Sequence, residues 1–490
     1  MKDYYLKKAE ENLPILNKTR IKPEFSPRVL STGDEITVDL GNHYVGYLSF
    51  KMWYADMYID APVRMEVRFL ECERELTDDY ADFTGGLCRS WLQDEIINVD
   101  FPGIYNMPRR YAARFIKIKI IAASQPLVLS DFVFEAETSA KEETLLPYSS
   151  SDSELTLIDR IAVNTLKNCM QRVFEDGPKR DRRLWIGDLR LEALANYYTF
   201  DSLELVKRCL YLFAAAEPNE HGIIPGYVYE NPIFVSGSWY LIDYALMFVC
   251  SLCDFYIHTG DEQTFRDIYP VAKRIMESLN SSVDDSGLPT PSIGEIFIDW
   301  CRGLKKRSAL VGVYLYTLDI LSSALEELKD EDAKVYRERL AAGRLAAKGR
   351  LFDKKKGAFI NERDGYQYSV HTAAWMVLGG VISGNEAKRV LLDAIDSEDS
   401  VKPFTPYMHH YTAEALFKAG AIEEGEKYIR RIWGGMAKMG ADTFPEVYSE
   451  GNADFSPYSD RKLNSMCHAW SCTATYFIRK YALGKDYKTI

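Results

Sequence analysis

The hydrophobic pattern changes period near residue 140, and that change limits the fold more than any other feature of the chain. Before it, short runs alternate apolar and polar residues: "EITVDLG" (35–41), "GYLSFKMWY" (46–54), "VRMEVRFLE" (63–71), "DEIINVDFPG" (94–103), "RFIKIKII" (114–121) and "LVLSDFVFEAE" (127–137). A period of two marks a strand with one face in a core and one in water. Gly, Pro, Asp and Asn fill the turns between the runs. Residues 1–140 are therefore expected to form an antiparallel β-sandwich.

After residue 140 the period becomes that of a helix. In "SSSDSELTLIDRIAVNTLKNCMQRVF", Ser151 stands three residues before Glu154, a capping-box spacing, and Leu155, Ile158, Ala162, Leu166, Cys169 and Val173 mark one buried face. Gly177 and Pro178 are expected to stop that helix. Further helices are expected near 188–214, 237–259, 262–280, 308–328, 330–350, 369–381, 385–396, 408–419, 422–438 and 464–482. Richly apolar helices alternate with more charged ones, the pattern needed when an outer ring covers an inner one. The expected fold class is thus a multidomain α and β chain: a sandwich, then an (α/α)6 toroid over 141–490. No repeat of fixed period runs through the helices, which argues against a solenoid.

Charge and cysteine content narrow the function. A net charge of −12 opposes binding to nucleic acid or an anionic membrane, and no apolar run approaches the ~18–20 residues of a membrane span. The first residues, "MKDYYLKKAEENL", contain no apolar stretch like that of a secretory signal. The nine cysteines are scattered through apolar runs, and Cys250 and Cys253 have no second pair at zinc spacing, so reduced core cysteines and a cytoplasmic location are expected. No metal cluster, P-loop, G-x-G-x-x-G or G-x-S-x-G is present, and no cofactor is expected.

In a toroid the loops at one end of the inner helices surround a central cavity. Four stretches suit that place: "DGPKRDRRLWIGD" (176–188), "GSWYLIDY" (237–244), "GEIFIDWCRG" (294–303) and "GADTFPEVYSEGNADF" (440–455). Each sets a carboxylate beside an aromatic ring. Rings stack on the apolar faces of sugars while carboxylates take hydroxyls, and paired carboxyls hydrolyse glycosidic bonds. Plainer roles compete: Asp188 as a helix N-cap, Asp176 as a turn residue, Asp181 in a surface ion pair with its arginine neighbours, Trp185 and Trp300 as core residues. His409 and His410 are expected to be structural.

The chain resembles the α-L-rhamnosidases of glycoside hydrolase family 78 over most of its length. The family signature D-C-P-x-R-[D]E-R-L-G-W-x-G-D stands here as "DGPKRDRRLWIGD". "GSWYLIDYALMFVCSLCDFYIHTGD" looks like the family's W-x-D segment, "FIDWCRG" like its G-D-W loop, and "GADTFPEVYSEGN…LNSMCHAWSCTATYF" like G-A-T-T-x-W-E…S-F-N-H-Y-A. The resemblance implies a six-hairpin glycosidase of bacterial type. It implies Asp181 as general acid and Glu446 as the base that activates water. Asp176, Arg180, Trp185, Asp188, Trp239, Asp243, Asp299, Trp300 and His468 would bind the sugar. The family acid is usually Glu, and in variants reading D-E its position falls on Arg182.

The resulting expectation is an inverting exo-glycosidase that releases terminal α-L-rhamnose, or a related sugar, from oligosaccharides or glycosides. Alternatives are a catalytically silent sugar-binding member of the same fold, or a toroid lyase or phosphorylase. The substrate would be the main partner, and a homodimer is compatible with the sequence.

Overall fold

The computed structural model describes residues 1–56, 61–362, 365–452 and 454–484. Strands β1 (Asn17–Ile21), β2 (Arg28–Leu30), β3 (Glu35–Tyr54), β4 (Val63–Leu70), β5 (Asp94–Val99), β6 (Gly103–Asn106), β7 (Tyr111–Ala122) and β8 (Leu127–Thr138) form one eight-stranded network. It runs β1-β8-β3-β7-β4-β5, with β2 on β8 and β6 on β3. All these pairings are antiparallel. The runs 35–41 and 46–54 are two halves of the single strand β3. Its register shifts between Asp39 and Tyr44, around Gly41 at φ +80°. The bulge turns the strand, which pairs with β7 before it and mainly with β8 and β6 after it. Phe50, Phe69, Ile116, Ile118 and Phe134 fill the core beneath.

Thirteen helices are described. The first, α1 (Lys2–Glu11), precedes the sheet in sequence yet packs on α4 (Leu203–Ala214), where Arg208 Nη1 donates to the Ala9 carbonyl at 2.8 Å. Residues 2–11 thus lie with the helices, not with the sheet as the boundary at 140 implied. Their mostly exposed, charged pattern hid a single buried face at Tyr5 and Ala9.

The other helices make two rings. The inner one comprises α3 (Ile186–Asn196), α5 (Ile242–Thr259), α7 (Arg307–Glu327), α9 (Val370–Leu378), α11 (Pro406–Lys418) and α13 (Ala474–Lys480). Each packs on the next, and the short helical turn Ala469–Ser471 before α13 closes the circle from α11 to α3. Around them stand α2 (Ser153–Cys169), α4, α6 (Glu262–Ser281), α8 (Asp332–Leu351), α10 (Gly384–Asp396) and α12 (Ile422–Ala437). The sequence dictates which helix goes where. Every residue of α3 and of α9 is buried, whereas α6 and α12 bury one stripe. By length and composition α7 alone among the described helices passes for a membrane span, and 83% of that window is buried inside the protein.

Several boundaries differ from expectation, among them the stretch 237–259, which is helical only from Ile242. Helix α2 is capped by Asp152, which accepts from Leu155 N, not by Ser151, and it ends at Cys169 well before Gly177. The stretch 188–214 is two helices, because Asp201 takes a left-handed φ of +50° and the Asn196 side chain closes the turn onto Ser202. The stretch 464–482 is helical only from Ala469, and His468 before it is extended.

Candidate active site

The loop between α2 and α3 is folded back by Asp176. Its backbone N–H donates to Arg183 O, and its Oδ1 accepts from Arg183 N, both at 3.0 Å. Asp181 and Arg182, at the tip of this loop, both hold φ +54°, a conformation that non-glycine residues avoid and that clusters at functional sites. Helix α3 begins at Ile186, so Asp188 sits inside the first turn and is not its N-cap. Gly187 in that turn lets the Tyr244 ring approach, since a Cβ there would lie 2.6 Å from the ring.

Asp176, Arg180, Asp181, Trp185, Asp188, Trp239, Trp300, Glu446 and His468 line one small cavity at this end of the inner ring. The opposite wall of the cavity comes from the loop after α12. There Glu446 accepts from Arg180 Nη2 at 2.7 and 2.8 Å, from Ser465 N at 3.2 Å and from the Tyr458 hydroxyl. Burial would raise its pKa, but Arg180, His468 and the Tyr458 hydroxyl, Arg180 foremost, together outweigh burial and hold Glu446 below the usual carboxylate range. The other nitrogen of the same guanidinium, Nη1, stands 3.4 Å from Asp181 Oδ1. Asp181 keeps 17% of its side chain exposed.

The remaining acids behave oppositely. Asp176 and Asp188 are buried, and desolvation, reinforced by neighbouring carboxylates, lifts both well above the usual range. Their surroundings thus favour the protonated form, which can both donate to and accept from a hydroxyl. Burial lowers His468 to about 4, so its ring is neutral. Four buried polar atoms of the lining have no hydrogen-bond partner among the described residues: Asp188 Oδ1 and His468 Nδ1, which stand 3.5 Å apart, and Trp185 Nε1 and Trp300 Nε1. The rings set the shape. Trp185 meets Trp239 and Tyr244 edge-on, and Trp300 meets Phe297 edge-on. Together these groups offer an apolar wall, dispersed hydroxyl partners, one ionised carboxylate and one part-exposed acid.

Two expected site residues lie elsewhere. Asp243 is buried and spends its oxygens on Phe297 N and Ile298 N at 2.9 and 2.7 Å. Asp299 accepts from Trp300 N, Phe404 N, Thr405 N and the Thr405 hydroxyl, and pairs with His371 at 2.7 Å. Neither lines the cavity. Both shape it, because they fix the loop that carries Phe297 and Trp300. Sequence reasoning in turn missed Tyr244, Phe297, Tyr458 and Trp470, all in the lining. Aromatic residues from other segments flank Glu446, as Tyr458 reaches its carboxylate and Trp470 Nε1 donates to Glu446 O at 2.8 Å.

Comparison with known proteins agrees with this architecture. Residues 15–136 match the glycosyl hydrolase family 78 α-rhamnosidase N-terminal domain, and residues 147–482 match the bacterial α-L-rhamnosidase six-hairpin glycosidase domain. Among solved structures, the rhamnosidase from Klebsiella oxytoca with rhamnose bound is 36% identical, with a TM-score of 0.93 over 98% of this chain and 99% of that one. The family 78 rhamnosidase of Bacillus sp. GL1 shares the fold at 24% identity and TM-score 0.78, and this chain covers 47% of its length. The Streptomyces avermitilis α-L-rhamnosidase complexed with L-rhamnose does so at 15% and 0.70. No curated protein matches. A sheet domain, a double ring of helices and an acid-and-tryptophan cavity at one end of that ring therefore have one common explanation: the chain belongs to glycoside hydrolase family 78, the α-L-rhamnosidase-like six-hairpin glycosidases.

Proposed function

We propose that this glycoside hydrolase releases terminal α-L-rhamnose by inversion, with Asp181 as general acid and Glu446 as general base. The observation that carries the reading is the contrast between the two carboxyls across one guanidinium. Arg180 keeps Glu446 charged, while Asp181 retains access to the open side of the cavity. With Arg180 between them the carboxyls are held apart, as an inverting pair must be to admit a water (roughly 6.5–9.5 Å). Asp181 gives its proton to the glycosidic oxygen. Glu446 takes a proton from water, which attacks the anomeric carbon from the opposite face. Asp176, Asp188 and His468 hold the ring hydroxyls, and Trp185 and Trp300 flank the ring. A small cavity lined in this way suits one terminal sugar. We place the reaction in a reducing cytoplasm, a reading supported by nine free cysteines, with Cys169 and Cys467 unbonded at 3.9 Å between sulfurs.

The test uses p-nitrophenyl α-L-rhamnoside and NMR of the first anomer released. β-L-Rhamnose is expected first, and Asp181→Asn and Glu446→Gln should each lower kcat by about 10²–10⁴-fold. α-L-Rhamnose as first product, or full activity in both variants, sinks the assignment.

A further inference from the structure

Asp181 lines a second space as well. Beyond it, between the sheet and the rings, lies a cleft of about 510 Å³ whose walls include Arg110, Arg172, Arg182, Glu137, Glu175 and Glu230. Asp181 is the one residue common to the lining of this cleft and of the sugar cavity. A general acid stands between the sugar it releases and the group that departs.

The charges in the cleft are unevenly committed. Both oxygens of Glu175 accept from Arg110 Nη2 at 2.7 Å, and Glu137 stands 3.9 Å from Arg110. Glu230 accepts from Arg208 at 3.0 Å. Arg109, also in the lining, is paired with Glu95. Among the described residues neither Arg172 nor Arg182 has a carboxylate at ion-pair distance. Arg172 is exposed to solvent. Arg182 is partly buried, on the strained backbone next to Asp181, and its Nε donates to Pro178 O at 2.9 Å. Among the described residues its two terminal nitrogens have no hydrogen-bond acceptor. Burial, then the nearby charges of Arg110 and Arg109, push its pKa down to about 10. A guanidinium in that state is raised in energy, and a planar oxyanion that engages both terminal nitrogens would relieve it.

We propose that the cleft is a leaving-group subsite for a carboxylate-bearing sugar, a uronate, with Arg182 as the fork that receives its carboxylate and Arg172 at the mouth. The proposal rests on the reading of Asp181 as the acid. Neutral leaving groups fit the same space but leave Arg182 without a counter-charge, so the subsite acts by preference and not by exclusion.

The test compares two α-L-rhamnosyl disaccharides whose second sugars differ only in carrying a carboxylate or a hydroxymethyl group at C6. In the wild-type protein kcat/KM is expected to favour the uronate by about tenfold or more, from a charge-assisted hydrogen-bonded pair, and the preference should shrink as salt is raised. In Arg182→Gln the ratio should fall toward one, chiefly through KM, and Arg182→Lys should keep part of it. The wild-type ratio needs no variant to fold. A wild-type ratio near one, or an undiminished ratio in Arg182→Gln, overturns the subsite. If p-nitrophenyl α-L-rhamnoside is cleaved while the disaccharides are cleaved equally, only the subsite fails. If none of the three is cleaved, the reading of Asp181 fails with it.

Discussion

Arg180 sets the charge of the candidate base, and its removal makes a sharp prediction. In Arg180→Gln, burial of Glu446 is no longer opposed by its nearest positive charge, so the carboxylate pKa rises. A base whose pKa rises becomes protonated at higher pH, and the acid-side limb of kcat/KM against pH should move upward by about one unit or more. A profile unmoved on that side would mean that Glu446 is not the titrating base. At this scale the sequence was legible where chemistry is concentrated in one stretch. Asp176, Asp181, Trp185 and Asp188 fall within thirteen residues, and all reach the cavity. It was misleading at Asp243 and Asp299, because an acid beside an aromatic reads the same whether it faces a ligand or a row of backbone amides. It was silent on Tyr458, whose hydroxyl reaches Arg180 at 2.9 Å across 278 positions of chain with no local pattern to mark it.

Among the elements, α7 approaches α9 backbone to backbone at Gly312. A Cβ on Gly312 would lie 2.6 Å from both the Trp375 carbonyl carbon and its Cβ. Gly312→Ala must push two buried helices apart and should destabilise the protein by about 1–3 kcal/mol. Gly349 on α8 is an internal control, since a Cβ there meets nothing within 4 Å. Gly349→Ala should stabilise by about 0.5–1 kcal/mol through helix propensity alone. Thermal or denaturant unfolding of the two variants checks the contrast, and equal effects would refute it. Hydrophobic period located most of these helices because burial on all sides or on one stripe is written into the residue order. It could not see the break at Asp201, where a left-handed residue and an asparagine side chain end the helix while the apolar pattern continues. Nor could it join the halves of β3, since a bulge at Gly41 looks like a turn until the flanking residues are seen to pair with the same neighbouring sheet.

For the molecule as a whole, the sheet and the rings are locked together beneath the site. Lys179 is buried, donates to Glu75 at 2.6 Å and lies 3.6 Å from Glu71, both from the sheet domain. Burial would lower its pKa, but the two glutamates outweigh burial and keep the ammonium charged. Glu71 in turn accepts from Met466 N at 2.7 Å, and beyond this cluster Arg114 bridges to Asp442 at 2.9 Å. Lys179→Met should cost about 3–5 kcal/mol, because it strands buried carboxylates, and adding Glu75→Gln should recover part of the loss. Unfolding curves for the single and double variants test this, and additive losses would show the pair uncoupled. The two-part organisation was visible in the change of period, but this junction was not, since nothing in a single charged stretch tells which charges cross to another domain. Lys179 and Arg180 are neighbours in sequence, one gripping the sheet and the other gripping Glu446. Turnover is therefore expected to report assembly: until the sheet domain seats on Lys179, its neighbour Arg180 is not fixed on Glu446, and the rise of activity during refolding should time the docking of the two domains without any label.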